Sequence, residues 1–257
     1  MKKRRVCIVG DIPLVVEFAA LFLEKGFAVD ARTNTSGAVE LPHGIRRIVR
    51  PSQTTNIAVE LTNIDLLRKR RNLAALESAI RPGIPLLSSS VTMTVAEQAE
   101  FVRHPRRLLG IGALPSLLQT DLIELAASAA TSIETTETAR QLFLELGKET
   151  ALVVDSAGMV FPRILCALAN EACHALGDGV AAQDEIDTAM KLGTNYPAGP
   201  LEWADRIGYG EVFAVMSSMQ KHFDEDRYRP APLLAQRALA ARSKSTRPGA
   251  PQARRVE

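Results

Sequence analysis

Short apolar runs alternate with stretches of helical period from residue 5 to about residue 154, and this alternation constrains the fold more than any other feature. Residues 5–10, 27–32, 55–61, 84–88, 107–111 and 150–154 have the length and apolar density of buried strands. Residues 13–25, 65–80, 94–103, 118–129 and 135–147 carry the apolar spacing of helices. Strands and helices taken in turn predict an α/β fold, a doubly wound, mainly parallel sheet with helices on both faces. Beyond about residue 157 the strand signals stop, and helices near 159–177, 182–192, 200–218 and 231–242 predict an all-α unit. The expected division is 1–156 for the sheet domain, 157–243 for the helical domain and 244–257 for a flexible, Pro/Gly-rich tail.

With 46% hydrophobic and 23% charged residues over 257 positions, the chain can bury a large core. The net charge is only +2. Basic clusters at Lys2-Lys3-Arg4-Arg5, Arg68-Lys69-Arg70-Arg71 and Arg103-His104-Pro105-Arg106-Arg107 lack interleaved aromatic residues. They read as solvated faces, and no nucleic-acid partner is expected. The three cysteines show no C-x-x-C spacing; they read as small core residues in a reducing cytoplasm, with no metal site. The apolar run after the basic start is broken by Asp11, Pro13 and Glu17, and no run is long enough to span a membrane. A cytoplasmic protein is the expectation.

The first strand, Val6-Cys7-Ile8-Val9, runs into Gly10-Asp11-Ile12-Pro13-Leu14-Val15. A dinucleotide-binding turn has G-x-G-x-x-G, its glycines serving the bend, the approach to the pyrophosphate and the helix–strand contact. Here Gly10 keeps the bend, Asp11 is placed to cap the helix, and Pro13 is tolerated in its first turn. Ile12 puts a branched side chain where the pyrophosphate would approach, and Asp11 adds a like charge. The second strand arrives at Arg32 rather than at an acidic residue. An arginine there suits the 2′-phosphate of NADP; the plainer alternative is a solvated loop residue.

Two segments, DSAGMVFPRILCALANEACHALGDGVA at 155–181 and QDEIDTAMKLGTNYPAGPLEWAD at 183–205, resemble the 3-hydroxyacyl-CoA dehydrogenase family, as does RYRPAPLL at 227–234. The resemblance covers most of residues 5–235 and is weaker in the first half. It implies a Rossmann domain followed by a helical dimerisation domain, with hydride transfer between NAD and the 3-hydroxyl carbon of an acyl-CoA. It also implies a homodimer through the helical domain, or a heterodimer with an active homologue.

Carried over residue by residue, the resemblance places the family's general-base histidine at Gly112, in Gly110-Ile111-Gly112-Ala113-Leu114-Pro115. Glu124, twelve residues on, stands where the glutamate that orients that histidine is expected. The family's active-site serine falls at Val91, within Ser88-Ser89-Ser90-Val91-Thr92, and its asparagine at Pro162. On the cofactor side the matching positions are Gly10, Asp11, Ile12, Arg32, Glu60, Lys69 and Ser89. A solvated helix face is the plainer reading of Lys69. None of His43, His104, His174 and His222 reads as a replacement base. Residues 33–52 form a short connection, with one brief strand at 45–49, where the family inserts a hairpin that contacts CoA.

Loss of the base, the serine, the asparagine and two glycines predicts a homologue degenerate at its hydride-transfer site, a pseudoenzyme or an acyl-CoA- or partner-binding protein. The alternative is an active NAD- or NADP-dependent oxidoreductase on an altered substrate, with Glu124 or a water taking the proton.

Overall fold

The computed structural model describes residues 3–34 and 41–245. Its elements are β1 (Arg5–Gly10), α1 (Leu14–Glu24), β2 (Ala28–Thr33), β3 (Ile45–Arg47), β4 (Ile57–Leu61), α2 (Leu66–Ala79), β5 (Leu86–Ser89), α3 (Val95–Ala99), β6 (Leu108–Ile111), β7 (Leu122–Ala127), α4 (Ile133–Glu145) and β8 (Glu149–Val154). Helices alone follow: α5 (Phe161–Gly177), α6 (Gln183–Thr194), α7 (Pro200–Ile207), α8 (Tyr209–Phe223) and α9 (Pro232–Ser245), with one short 3₁₀ turn before the last. The expected tail lies outside the described residues beyond Ser245.

The strands form one sheet in the order β3-β2-β1-β4-β5-β6-β7-β8, parallel throughout except at β6–β7. This is the doubly wound Rossmann arrangement, whose order reverses beside β1, so that the β1–α1 turn and the ends of β2 and β4 face one crevice. Successive residues of β1 point to opposite faces: Val6 and Ile8 join the core under α1 and α4, while Cys7 and Val9 join the core under α2. That second core continues without a break into α5, α7 and α8, so the helical unit is packed onto one face of the sheet.

Two expected elements are corrected. Residues 118–129 are not a helix; they contain β7, which pairs Ile111 with Leu125 and Ala126 with Val153. Leu-Ile-Glu-Leu-Ala-Ala is good helix-forming sequence, but pairing on both edges and burial of Ile123 and Leu125 override that preference. The single helix expected over 200–218 is broken at Gly208, whose φ of 96° lies in the region reserved for glycine. The break lets α7 and α8 each turn an apolar face inward.

The most specific stretch of the sequence, around YPAGPLEWAD, is a helix-start construction. Asp187 on α6 is buried, and its Oδ1 accepts the Leu201 N–H at 2.8 Å, at the first turn of α7. Glu202 accepts the Gly199 N–H at 3.0 Å and holds Lys191 at 2.6 Å, while Pro200 opens the helix. Gly199 has no alternative, because a Cβ there would lie 2.2 Å from Asp187 Oδ1. Gly199→Ala should therefore cost about 1–3 kcal/mol, the range of an overpacked core site, and lower the thermal midpoint by several degrees. A calorimetric scan beside the wild type checks this, and an unchanged midpoint refutes it.

Candidate functional site

The glycine turn is shaped by its neighbours. A Cβ on Gly10 would lie 2.4 Å from the Leu61 carbonyl oxygen, so strand packing alone demands glycine there. Asp11 does not cap α1, contrary to its expected role. The helix starts at Leu14, after a cis Ile12–Pro13 peptide, with no side-chain cap. The Asp11 carboxylate instead accepts a 2.8 Å hydrogen bond from Asn34 Nδ2, which also reaches Thr62 Oγ1 at 2.8 Å. Burial pushes the Asp11 carboxyl upward; the Asn34 bond opposes this and the Glu60 charge adds to it. A carboxyl group therefore stands in the turn that would meet a pyrophosphate.

Behind the turn lies a buried polar network. Lys69, read from sequence as solvated, is fully buried and pairs with equally buried Glu60 at 2.6 Å. Its ammonium also donates to the Thr62 carbonyl at 3.1 Å. Ser88 donates to Glu60 at 3.2 Å, and Asn72 Nδ2 is shared among Asn34, Thr62 and Glu60. Arg32 donates to Asn72 Oδ1 at 2.8 Å, which turns its guanidinium toward α2. Asp11, Arg32, Glu60 and Lys69 are thus brought together at one end of the sheet.

The second group of site residues meets around Met159. Glu124 on β7 is buried, and its two oxygens accept the Val160 N–H at 3.0 Å and the Phe161 N–H at 2.8 Å, at the start of α5. Both carboxylate oxygens are thereby committed to the end of a helix. Gly112 donates its N–H to the Glu124 carbonyl at 2.9 Å, and a Cβ there would sit 3.2 Å from Glu124 Cβ and 3.5 Å from Met159 Sδ. Val91 is buried and its carbonyl accepts from Gly158; Pro162 is buried in the first turn of α5.

The hydroxyls nearby are engaged by the protein. Ser89 donates to the Ala113 carbonyl at 3.2 Å, Ser90 accepts from Gln98 at 2.9 Å, and Thr92 donates to the Asn63 carbonyl at 2.8 Å. No histidine stands in for Gly112. His104 lies beside Glu77 at 3.0 Å, and His43 and His222 are exposed. Arg107, expected on a solvated face, is buried and donates to the Arg81 and Glu77 carbonyls. The three cysteines are buried free thiols, and burial pushes Cys7 up to about 12. Among the described residues no cluster of His, Cys, Asp or Glu could hold a metal ion.

Sequence reasoning missed Asn34, Asn63, Asn72 and Glu211. Asn72 lies three residues after Lys69, so helical period could have placed it; Glu211 gave no signal at all. Asn63 Nδ2 donates to Ala113 O and to Glu211 Oε2, each at 2.9 Å, which pins α8 to the end of β4. Burial pushes the Glu211 carboxyl up to about 7, against the Asn63 bond and with help from Asp11. Beside this contact a cleft of about 530 Å³ separates the two units, lined by Asn63, Thr92, Met93, Phe213, Ser218 and Lys221.

The sequence model of the 3-hydroxyacyl-CoA dehydrogenase NAD-binding domain matches residues 50–156, and that of the C-terminal domain matches residues 158–249. The chain belongs to the 3-hydroxyacyl-CoA dehydrogenase family. A probable 3-hydroxybutyryl-CoA dehydrogenase of Bacillus subtilis is 30% identical over 227 residues, 86% of this chain and 79% of the relative. A 3-hydroxybutyryl-CoA dehydrogenase of Clostridioides difficile is 31% identical over 197 residues, 74% of this chain and 70% of the relative. Among solved structures, the (S)-3-hydroxybutyryl-CoA dehydrogenase PaaH1 of Ralstonia eutropha superposes with a TM-score of 0.77 at 27% identity, covering 93% of this chain and 95% of that one. FadB2 of Mycobacterium tuberculosis shares the fold, with a TM-score of 0.82 at 20% identity over 96% of this chain and 98% of its own. The NAD-binding match of this family member begins at residue 50, so the Gly10 turn and Arg32 lie outside it.

Glu211 makes the protein's stability depend on pH. Its folded carboxyl lies near 7 against 4.5 for the free side chain, so the folded state binds the proton more tightly. That contribution is complete below about 4.5 and is lost as the pH rises through about 7. Glu211→Gln keeps an acceptor for Asn63 and should flatten this slope, leaving the variant about 2–3 kcal/mol better off at pH 8 than at pH 4.5, relative to wild type. Urea unfolding of both proteins at the two pH values measures the difference; parallel pH profiles refute it.

Proposed function

We propose that this family member keeps a nucleotide and acyl-CoA cleft but does not run the family's histidine-assisted hydride transfer. The reading rests on one observation: Glu124 spends both oxygens on the N–H groups of Val160 and Phe161, while the position of its histidine partner is Gly112, against Met159. A general base contributes about 10²- to 10⁴-fold. Neither Val91 nor Pro162 supplies the missing hydroxyl or amide.

The residues fit the two halves of a dinucleotide unequally. At the end of β2, Arg32 suits a phosphorylated adenosine; in the turn, Asp11 opposes the pyrophosphate. The cofactor is therefore NAD or NADP held chiefly by its adenosine end, or is replaced by the adenine nucleotide of an acyl-CoA. When bound, a nicotinamide supplies hydride chemistry; this chain's residues supply position for it and no base from Glu124.

A second reading, an active NAD(P)-dependent oxidoreductase on an altered substrate, draws on Glu211. That carboxyl gains and loses its proton near neutral pH, next to the cleft residue Asn63. The purified protein assayed with NAD or NADP and 3-hydroxybutyryl-CoA should show no turnover within the ordinary enzyme range of roughly 1–10³ per second. Turnover in that range refutes the first reading, and its loss in Glu211→Gln would establish the second.

The helical unit exposes Val160 and Ile164 on and beside α5 and Leu192 on α6, the last 83% exposed. A second copy of the chain covering these side chains gives a homodimer. Light scattering should report twice the 27.9 kDa chain mass, and Ile164→Glu should halve it. A wild-type mass of one chain overturns the homodimer.

A further inference from the structure

The sequence run Arg68-Lys69-Arg70-Arg71 looks like a single basic patch, but α2 sends its members in different directions. Lys69 is buried on Glu60, and Arg70 lies over the Phe101 ring at 5.1 Å. Arg68 and Arg71 fall on one face with Asn72 and Ala75, and that face looks onto the end of β2. There, Arg32, Thr33, Asn34, Arg68, Arg71 and Asn72 line an open pocket of about 400 Å³.

Three arginines therefore line one pocket at the end of the second strand. Two of them are held in place. Arg32 donates to Asn72 Oδ1, and Asn72 is itself anchored by Asn34, Thr62 and Glu60. Arg68 donates to the Asn34 carbonyl, with Asp65 at 3.6 Å. The charges do not cancel. Lys69 neutralises Glu60, Asp65 offsets one arginine, and Asp11, close enough to feel the charge of Arg68, offsets part of another, so the pocket keeps a net positive charge. That charge favours a phosphate monoester, and planar guanidinium groups suit its oxygens.

The position identifies which phosphate. In a doubly wound sheet the end of the second strand lies beside the adenosine ribose of a bound dinucleotide, where an acidic residue would repel a 2′-phosphate and an arginine accepts it. The geometry points to Arg32, Arg68 and Arg71 as a receptor for the 2′-phosphate of an adenosine nucleotide, so that the protein takes NADP(H) in preference to NAD(H). This inference rests on the retained nucleotide cleft proposed above and names the cofactor it takes.

The test uses fragments that reach only this end of the cleft. Calorimetric titration of the full-length protein compares 2′,5′-ADP, 3′,5′-ADP and 5′-AMP, and fluorescence titration compares NADPH with NADH. The expected result is at least tenfold tighter binding of 2′,5′-ADP than of either other fragment, and the same preference for NADPH over NADH. Arg71→Ala should reduce the 2′,5′-ADP preference at least fivefold with the thermal midpoint unchanged, and Arg71→Lys should restore part of it. Raising the salt concentration should weaken 2′,5′-ADP more than 5′-AMP.

Equal binding of the three fragments overturns the 2′-phosphate receptor and leaves the nucleotide cleft standing. Preference for 3′,5′-ADP overturns it in favour of the ribose phosphate of CoA. Failure of every fragment and of both dinucleotides to bind removes the retained cleft itself, and the receptor with it.

Discussion

The carboxylate of Glu124, seated on the first N–H groups of α5, is the contact on which the two halves of the molecule depend. A helix N-terminus leaves its first amides without partners, and an ionised carboxylate answers both the unmet hydrogen bonds and the partial positive charge. Hydrogen bonds to a charged group contribute about 1.5–3 kcal/mol each, more than any single surface ion pair in the molecule could. Because Glu124 comes from the central part of β7, the bond fixes the helical unit to the sheet itself rather than to a loop. Its carbonyl also holds the Gly112 N–H, so the clamp sets the path of the chain at Gly112.

The Glu60–Lys69 pair plays the corresponding part at the nucleotide end. Two fully buried charges would be costly if left alone, and one 2.6 Å contact would not by itself repay their lost hydration. Ser88, Asn72 and the Thr62 carbonyl complete the set of partners. The network then extends through Asn72 to Arg32 and through Asn34 to Asp11. A change at Lys69 would strand Glu60 without a counter-charge and loosen the anchor of Arg32, although Lys69 itself faces no solvent. Network positions of this kind couple stability to ligand choice, because the residues that would touch a ligand are held by residues that cannot.

The alternation of strands and helices, the mainly parallel sheet it implies and the helical second half were legible because each depends on a local period that the sequence repeats. β7 was not legible. Leu122–Ala127 carries leucine, glutamate and alanine, all helix formers, and becomes a strand only because Ile111 and Val153 lie at its edges. The break at Gly208 was hidden in a continuous apolar pattern on both sides. In the site, the losses proposed at Gly112, Val91 and Pro162 rest on the resemblance of the flanking segments, since a missing side chain needs no geometry to be noticed. The fates of the charged residues could not be read that way. Lys69 sits in a run of four basic residues and is buried, while Arg68 and Arg71 from the same run stay outside. Only the azimuth of α2 against β4 separates them, and azimuth follows from tertiary packing.

What is kept and what is replaced in this chain sort by physical role. The Asp187–Gly199–Leu201 construction and the Glu124 clamp serve folding, and both are present with full hydrogen bonding. The positions proposed above to correspond to the family's chemical groups carry glycine, valine and proline. Val91 is completely buried, Met159 is 2% exposed against Gly112, and the nearby serines and threonine find partners. Beside them Asn63 Oδ1 and Gln98 Oε1 are buried without a partner, so the corner is filled by side chains while part of its polar surface stays unmet. A histidine placed at Gly112 would start 3.2 Å from Glu124 Cβ and 3.5 Å from Met159 Sδ, so a ring there would press on both neighbours and claim volume that the present core fills.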